Sequence, residues 1–466
     1  MKRSEFEMKI WINKNKINEE KTFGFENAYE FSIKRDEYST MYTHIDYIWR
    51  QFGANKLEAK YEDLFIIAMS VFSIDKRISR TLFNDNWTRE LEVSIPVLEV
   101  EKWEKLKEKV NQTLGFLTGD IWKVEFRKTK EIYLNSQGWL RKENRIDKNQ
   151  FTAVSLFSGG LDSFCGAIHL AEQGESLCLV GHNEYPKLRA KQEKLSKLID
   201  KKYPSQNCKF ISFSANSYAP ELNNERLSKN ENTSRGRSFL FICIAVTIAG
   251  IIGDDIPVYI PENGFIGLNI PLTNSRKGSC STRTTHPYFI KNINEILDSV
   301  EIKNKVCNIF AYETKRAIVN SVKENEIFKK GAKDTISCSH PCIPRYNKNG
   351  NNKYPINCGY CYPCLIRKSS LIDVKDLDGD YVEKEITIDF MQKNENRDIT
   401  NDARAVLSSI FRYNNIDDKE LIRLIRCSGE LENDQVEKFK RVYKSTMNDL
   451  MALFSDAKMK EYMGLN

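Results

Sequence analysis

Residues 154–163 read Val154-Ser155-Leu156-Phe157-Ser158-Gly159-Gly160-Leu161-Asp162-Ser163. The apolar run 154–157 has the composition of a buried strand, and a helix-like segment follows over 163–173. A strand that meets two glycines and then a helix start leaves free backbone N–H groups converging at one point. With the hydroxyls of Ser158 and Ser163 beside them, such donors suit an anion of the pyrophosphate type. A plain strand-to-helix turn would also use glycines for their positive φ. The position between strand and helix favours the anion cradle.

Working outward, the same texture continues. Apolar strands are expected at 154–157, 177–180, 209–213, 257–260 and 306–310, with helices at 163–173, 187–201, 237–250 and 288–299. That alternation predicts an α/β fold, an open parallel sheet with helices on both faces. Ligands of such sheets sit at the carboxyl ends of the strands. His182, just past the second strand, and Glu262 and Asn263, just past the fourth, occupy such ends.

The rest of the 466 residues divides around this unit into three expected domains: 1–148, 151–370 and 371–466. Residues 1–148 are Lys/Glu-rich, with strands expected at 9–12, 29–33 and 91–97 and a helix at 61–72. They read as an accessory α+β domain without a catalytic constellation, joined by the polar stretch 141–149. Residues 371–466 read as a helical extension. There Val436, Phe439, Tyr443, Met447, Leu450 and Phe454 recur by threes and fours, as one helix face requires.

Composition narrows the class. At 41% hydrophobic and 29% charged the chain reads as globular, and its net charge of +7 suits anionic ligands without supporting nucleic-acid binding. No apolar leader follows Met1, and the longest apolar run, 239–253, is too short to span a bilayer comfortably. It reads as a buried helix, so no membrane role is expected. Twelve cysteines without an export signal imply reduced thiols and a cytoplasmic location. Isolated ones such as Cys178, Cys243 and Cys307 read as small core residues.

Cys358-Gly359-Tyr360-Cys361-Tyr362-Pro363-Cys364 is different: three thiols at three-residue spacing in a polar turn. Cys338 or Cys342 upstream can supply a fourth. Four thiolates make the closed tetrahedral site of structural Zn²⁺, with an iron–sulfur cluster as the alternative.

The six residues Ser158–Ser163 resemble the PP-loop of ATP pyrophosphatases, enzymes that split ATP into AMP and pyrophosphate. Their combination with Thr335-Ile336-Ser337-Cys338 and Cys358–Arg367 resembles the QueC-like family of 7-cyano-7-deazaguanine synthases over about residues 151–370. Gly236-Arg237-Ser238 matches a middle element of that family in part. Pro261-Glu262-Asn263-Gly264, the segment 281–287 and Ser339-His340-Pro341 depart from simple QueC enzymes and resemble the QatC members of the Qat anti-phage systems. The resemblance implies an adenine nucleotide alpha hydrolase-like (PP-loop) sheet carrying a zinc loop, and it favours Cys338 as the fourth ligand.

It further implies ATP, Mg²⁺ and Zn²⁺ as cofactors. A 7-carboxy-7-deazaguanine-type carboxylate would be adenylated and then joined to an amine, the N-terminus of a QatB-like partner from the same defence operon. Ser158, Gly159, Gly160, Leu161, Asp162 and Ser163 would hold the pyrophosphate, with Asp162 orienting the loop or holding Mg²⁺, and Asp162 and Ser163 serving catalysis. His182 and Arg237 would contact ATP. Glu262 and Asn263 would read the deazapurine edge, and Arg276, Arg283 and His286 would form a basic loop for an anionic intermediate. The alternatives are a free nitrile synthase and a non-catalytic nucleotide-binding scaffold; an RNA-directed activity would want a basic stripe and a reactive cysteine. Cys165, in the helix after the loop, is expected to be buried instead.

Overall fold

A computed structural model describes residues 7–462 except 15–20, 34–39, 134–139, 224, 232–234, 273–282 and 347–353. Arg276 therefore lies outside the described residues.

The first region runs β1 (Met8–Asn13), β2 (Tyr29–Ser32), β3 (Met41–Thr43), α1 (Ile45–Gln51), α2 (Ala59–Arg77), β4 (Glu90–Val97), α3 (Val100–Thr118) and β5 (Ile121–Lys128). β1 pairs in parallel with both β2 and β4, and β4 with β5. This is a parallel α/β layer, not the α+β arrangement expected. The difference lies in α3 and β5, whose Lys/Glu-rich sequences hide a buried stripe (Trp103, Val110, Leu114, Leu117) and a half-buried edge strand. β5 ends the sheet, and its edge is blunted: Val124 and Phe126 donate their N–H groups to Asn111 Oδ1 (2.9 Å) and Glu104 Oε1 (2.8 Å) of α3.

The middle region holds β6 (Ala153–Leu156), α4 (Leu161–Glu172), β7 (Leu177–His182), α5 (Pro186–Lys202), β8 (Lys209–Phe213), β9 (Ala215–Ser217), β10 (Glu221–Leu222), β11 (Glu225–Arg226), α6 (Gly236–Ile252), β12 (Val258–Tyr259), α7 (Gly264–Leu268), α8 (Pro287–Ser299), β13 (Val306–Cys307), α9 (Lys315–Val322), α10 (Glu326–Gly331) and α11 (Tyr362–Ser370). Its sheet is parallel throughout, in the order β13-β12-β6-β7-β8. All five expected strands are present, although β12 and β13 are two-residue remnants of the longer spans. Cys307 is exposed rather than core, whereas Cys165, Cys178 and Cys243 are buried.

Because β7 and β8 extend to one side of β6 and β12 and β13 to the other, the winding reverses between β6 and β12. That switch point is where an open α/β sheet leaves a crevice. The Ser158–Ser163 loop leaves β6 there, and Pro261-Glu262 leaves β12 opposite it.

The two regions are interlocked. β10 adds antiparallel to β2, and β3 pairs with β9. α2 packs on α6 along a seam set by glycines: a Cβ at Gly236 would lie 3.0 Å from Phe72 Cα, and one at Gly250 only 2.1 Å from Tyr61 Cζ. Tyr61 in turn donates its hydroxyl to Asn304 Oδ1 at 2.7 Å. One hydrophobic core continues from β1, α2 and β4 through the buried α6 to β6 and β12. Asp75 of α2 accepts from Gly236 N (2.7 Å) and Arg89 (2.6 Å), fastening the start of α6 to the first layer. On the sheet's other face α4, α5, α9 and α10 enclose a second core.

The C-terminal region is helical as expected: α12 (Ile388–Lys393), α13 (Asn401–Asn415), α14 (Asp418–Arg426), α15 (Asn433–Leu453) and α16 (Ala457–Tyr462). Val436, Phe439, Tyr443, Met447 and Leu450 of α15 are buried in a cluster shared with α7, α11 and α13. Among the described residues no helix is long and apolar enough to cross a membrane.

Candidate functional site

The loop after β6 takes the shape its glycines permit. Gly159 has φ of +81°, and a Cβ there would press on Gln192 Cγ at 3.0 Å. Ser158 Oγ accepts from Gly160 N (3.2 Å) and meets Ser163 Oγ (3.2 Å), while Ser163 Oγ donates to the Gly160 carbonyl (3.0 Å). Both hydroxyls and the first N–H groups of α4 therefore converge at one helix start. Gln192, fully buried on α5, donates to the carbonyls of Phe157 (3.3 Å), Ser158 (3.0 Å) and His182 (3.4 Å), tying together the carboxyl ends of β6 and β7.

Asp162 points inward. Its Oδ1 pairs with Lys315 Nζ at 2.6 Å and its Oδ2 accepts from Asn263 Nδ2 at 2.7 Å. Burial alone would raise this carboxyl, but the Lys315 ammonium and the hydrogen bonds from Lys315, Asn263 and Glu262 hold it below the usual carboxylate range. Both oxygens meet partners within the protein, as the loop-orienting role requires. Asn263 is equally committed: Oδ1 caps α7 through Ile266 N (3.1 Å), and the side chain is fully buried. It positions Asp162 and is not among the residues lining the crevice.

Glu262, next along the chain, does face the crevice. Burial, and then the charge of Asp162, push its carboxyl well above the ordinary range.

These groups line a cleft of about 390 Å³ whose walls include Ser158, Ser163, His182, Arg237, Glu262 and Cys338. The size is that of a small-molecule site. A wider groove of about 1040 Å³ runs between β3, α1, α5 and β8, but it lacks this convergence of hydroxyls, helix start and carboxyl groups.

His182 stacks among Phe213 and Phe241, with ring centroids 4.9 and 6.4 Å away. Burial, with the Arg237 charge beside it, pushes its pKa down to about 4, so the ring is neutral. Its Nε2 has no hydrogen-bond partner among the described residues. Arg237, on the first turn of α6, reaches the cleft paired with Glu184.

Arg283 and His286 are not at the site. The Arg283 guanidinium lies 4.8 Å from the Phe116 ring centroid and donates to the Phe116 carbonyl (3.3 Å). His286 caps α8, Nδ1 accepting from Tyr288 N (3.1 Å) and Nε2 meeting Ser428 Oγ (3.1 Å). The two residues join α3, α8 and the C-terminal region; their neighbours Thr284 and Thr285 line the cleft instead. The hydroxyl-rich segment was legible, but its direction of facing depends on packing against α3.

Cys338, Cys358, Cys361 and Cys364 bring their sulfurs within 4.8 Å of one another. The Cys358–Cys364 and Cys338–Cys361 separations are 3.9 and 3.8 Å. A tetrahedron of Zn–S bonds of about 2.3 Å has edges of about 3.8 Å, which these two separations match, so the four thiols could hold zinc. Backbone N–H groups of His340, Cys358 and Cys361 point at sulfurs from 3.2–3.3 Å, as thiolates require. Cys342 is not part of the cluster.

This cluster is wired to the glycine loop. Ile336 N donates to the Gly159 carbonyl (2.9 Å), and Leu161 N to Ser337 Oγ (3.1 Å). Asn357 grips Ser337 N (2.9 Å) and the Thr335 carbonyl (3.2 Å), and Arg367 reaches Thr335 Oγ1 (2.5 Å). Lys315 and Gln192 are site residues that sequence reasoning passed over, and Ser337 entered only as part of the motif before Cys338, with no role of its own. Lys315 carried a signal, a cation at the first position of a helix, where the dipole favours an anion. Gln192 carried another, a polar residue in step with Leu195, Ser196 and Ile199 on the buried face.

No protein-family model matches the chain, and no curated protein matches it in sequence.

Proposed function

We propose that the chain is an ATP-dependent, QueC-like enzyme of the PP-loop type. It adenylates a 7-carboxy-7-deazaguanine-type carboxylate, releases pyrophosphate, and joins the acyl group to an amine, the N-terminus of a QatB-like partner in anti-phage defence. The observation that carries this reading is the cleft at the switch point, where two serine hydroxyls and a helix start meet an arginine and a neutral histidine.

The chemistry asks for such a cleft. A carboxylate is a poor electrophile until its oxygen attacks the α-phosphorus of ATP and becomes a mixed anhydride. Pyrophosphate then leaves with negative charge that preorganised donors stabilise. Ser158, Ser163 and the N–H groups of Gly160 and Leu161 are those donors. In the resting protein Ser158 and Ser337 occupy the Gly160 and Leu161 N–H groups, and pyrophosphate oxygens would replace them. Arg237 supplies positive charge from the opposite wall, and Mg²⁺ accompanies the nucleotide. The four cysteines would hold Zn²⁺ in a structural role, bracing the loop through residues 335–337. The eleven described cysteines are all free thiols, which suits a cytoplasmic setting.

The test is to incubate the protein with ATP, Mg²⁺, 7-carboxy-7-deazaguanine and the partner protein, following AMP, pyrophosphate and the partner's intact mass. A mass increase on the partner's N-terminal peptide supports ligation. Release of a free nitrile with the partner unmodified would replace it with nitrile synthesis. Absence of AMP and pyrophosphate under these conditions would leave a nucleotide-binding scaffold.

A further inference from the structure

We propose that Glu262 is the general base of the amide-forming half of this reaction, a role that rests on the adenylation reading above. An aliphatic primary amine arrives as an ammonium ion near neutral pH and has no lone pair to offer until it loses a proton. Some group in the cleft must take that proton.

Among the described carboxyl and imidazole groups lining the cleft, one candidate remains. Ser158 and Ser163 are hydroxyls bonded to each other, and Arg237 and Glu184 are paired across the wall. His182 is neutral, but its pKa of about 4 makes it too weak an acceptor. Behind the wall, Asp162 is bound on both oxygens by Lys315 and Asn263. Of the two described carboxyl groups lining the cleft, Glu184 and Glu262, only Glu262 combines that position with heightened basicity. Asn263 Nδ2 holds Oε1 at 3.3 Å, and Asn308 Oδ1 accepts from the Glu262 backbone N–H at 3.3 Å, which fixes the side chain's root. Burial, and then the Asp162 charge, make the carboxyl a better proton acceptor than a solvated glutamate, closer in strength to its task.

In the step proposed, the ionised Glu262 carboxylate takes one proton from the ammonium. The freed nitrogen pair attacks the acyl carbon and forms the C–N bond. The acyl C–O bond to AMP then breaks, its electron pair leaving with the phosphate. The second N–H proton passes to that phosphate and on to water, and Glu262 returns its own proton to solvent through the cleft.

Glu262→Gln tests this in the full chain. Glutamine keeps the side chain's shape, its amide oxygen can accept from Asn263 Nδ2 and its NH₂ can donate to Asp162, so the variant preserves the contacts of the site. Adenylation is read by ATP–pyrophosphate exchange dependent on 7-carboxy-7-deazaguanine. Acyl transfer is read with methylamine, which arrives protonated, and with hydroxylamine, which is neutral at pH 7. The expected result is exchange within about threefold of wild type and methylamine transfer reduced roughly 10²–10⁴-fold, with hydroxylamine transfer largely restored. Loss of exchange together with both transfers would overturn the proposal in favour of a substrate-binding glutamate; unchanged methylamine transfer would overturn it outright. Should Glu262→Gln fail to fold, Glu262→Asp carries the same comparison. A methylamine-to-hydroxylamine ratio equal to wild type would then overturn the role. Absence of exchange in the wild type would instead overturn the adenylation reading, and this role with it.

Discussion

Leu161, the first residue of α4, donates its backbone N–H to Ser337 Oγ at 3.1 Å across 176 residues of chain. That bond joins the glycine loop to the segment just before the first cysteine of the cluster. The cluster therefore shapes the cleft as well as the local fold, through Ser337 and through Ile336 N on the Gly159 carbonyl.

Metal removal should act on both. Cys361→Ser, or a strong chelator, is expected to strip zinc, lower Tm sharply and weaken ATP binding, because structural metal affinity is folding free energy. Ser337→Ala should keep full metal content and cost only about 1 kcal/mol. Elemental analysis with a visible absorption scan also separates zinc from an iron–sulfur cluster. Differential scanning calorimetry and ATP titration read the rest.

Lys315 and Asp162 form a buried ion pair, and removing one partner strands the other. Lys315→Met should cost about 3–5 kcal/mol in urea unfolding. The double variant Lys315→Met with Asp162→Asn should recover part of that stability, since no charge is left unpaired. Neither variant should form AMP, because the loop loses its anchor. Recovery of AMP formation in the double variant would refute the anchoring role.

The seam between α2 and α6 predicts a steric outcome. Gly250→Val places a branched side chain where Tyr61 lies and should destabilise by about 1–3 kcal/mol or more, measured by urea unfolding. Removal of residues 1–148 uncovers the apolar face of α6 and should yield insoluble or aggregated protein in size-exclusion chromatography.

His286 predicts a pH dependence. Burial, and then the Arg283 charge, push its folded-state pKa down to about 3, from 6.5 when unperturbed. Between those values the unfolded chain binds a proton that the folded chain refuses. Stability is therefore fully present above about pH 6.5 and is lost as pH falls toward 3, by at most about 1.4 kcal/mol per pH unit. Asparagine at 286 keeps a helix-capping oxygen but does not titrate. Between pH 6.5 and 5, wild type should lose up to about 2 kcal/mol more than His286→Asn; equal losses would refute the assignment.

Legibility in the sequence followed locality. The central strands and helices were readable because each announces itself within a short window: apolar 177–180 became β7, and the periodic 432–454 became α15. α3 and β5 escaped because lysine and glutamate mask their buried stripes, and with them went the parallel order of the first layer. Arg283 and His286 are basic residues beside cleft threonines, yet Phe116 of α3 and Ser428 near the C-terminus draw both side chains away from the cleft.

The amino-acid sequence by itself determined the strand–glycine–helix loop at Ser158–Ser163 and three of the four clustered thiols. In both, the chemistry lies in contiguous residues whose backbone geometry is set by neighbours. The tertiary structure decided which groups complete them. Asn263 reaches Asp162 from 101 residues away, Lys315 arrives from a helix beyond it, and Cys338 joins the cluster while Cys342 stays out. Such pairings are set by sheet order and by the packing of α9 against α4 and α11. Long-range contacts depend on how whole elements pack, and no local window of residues encodes that.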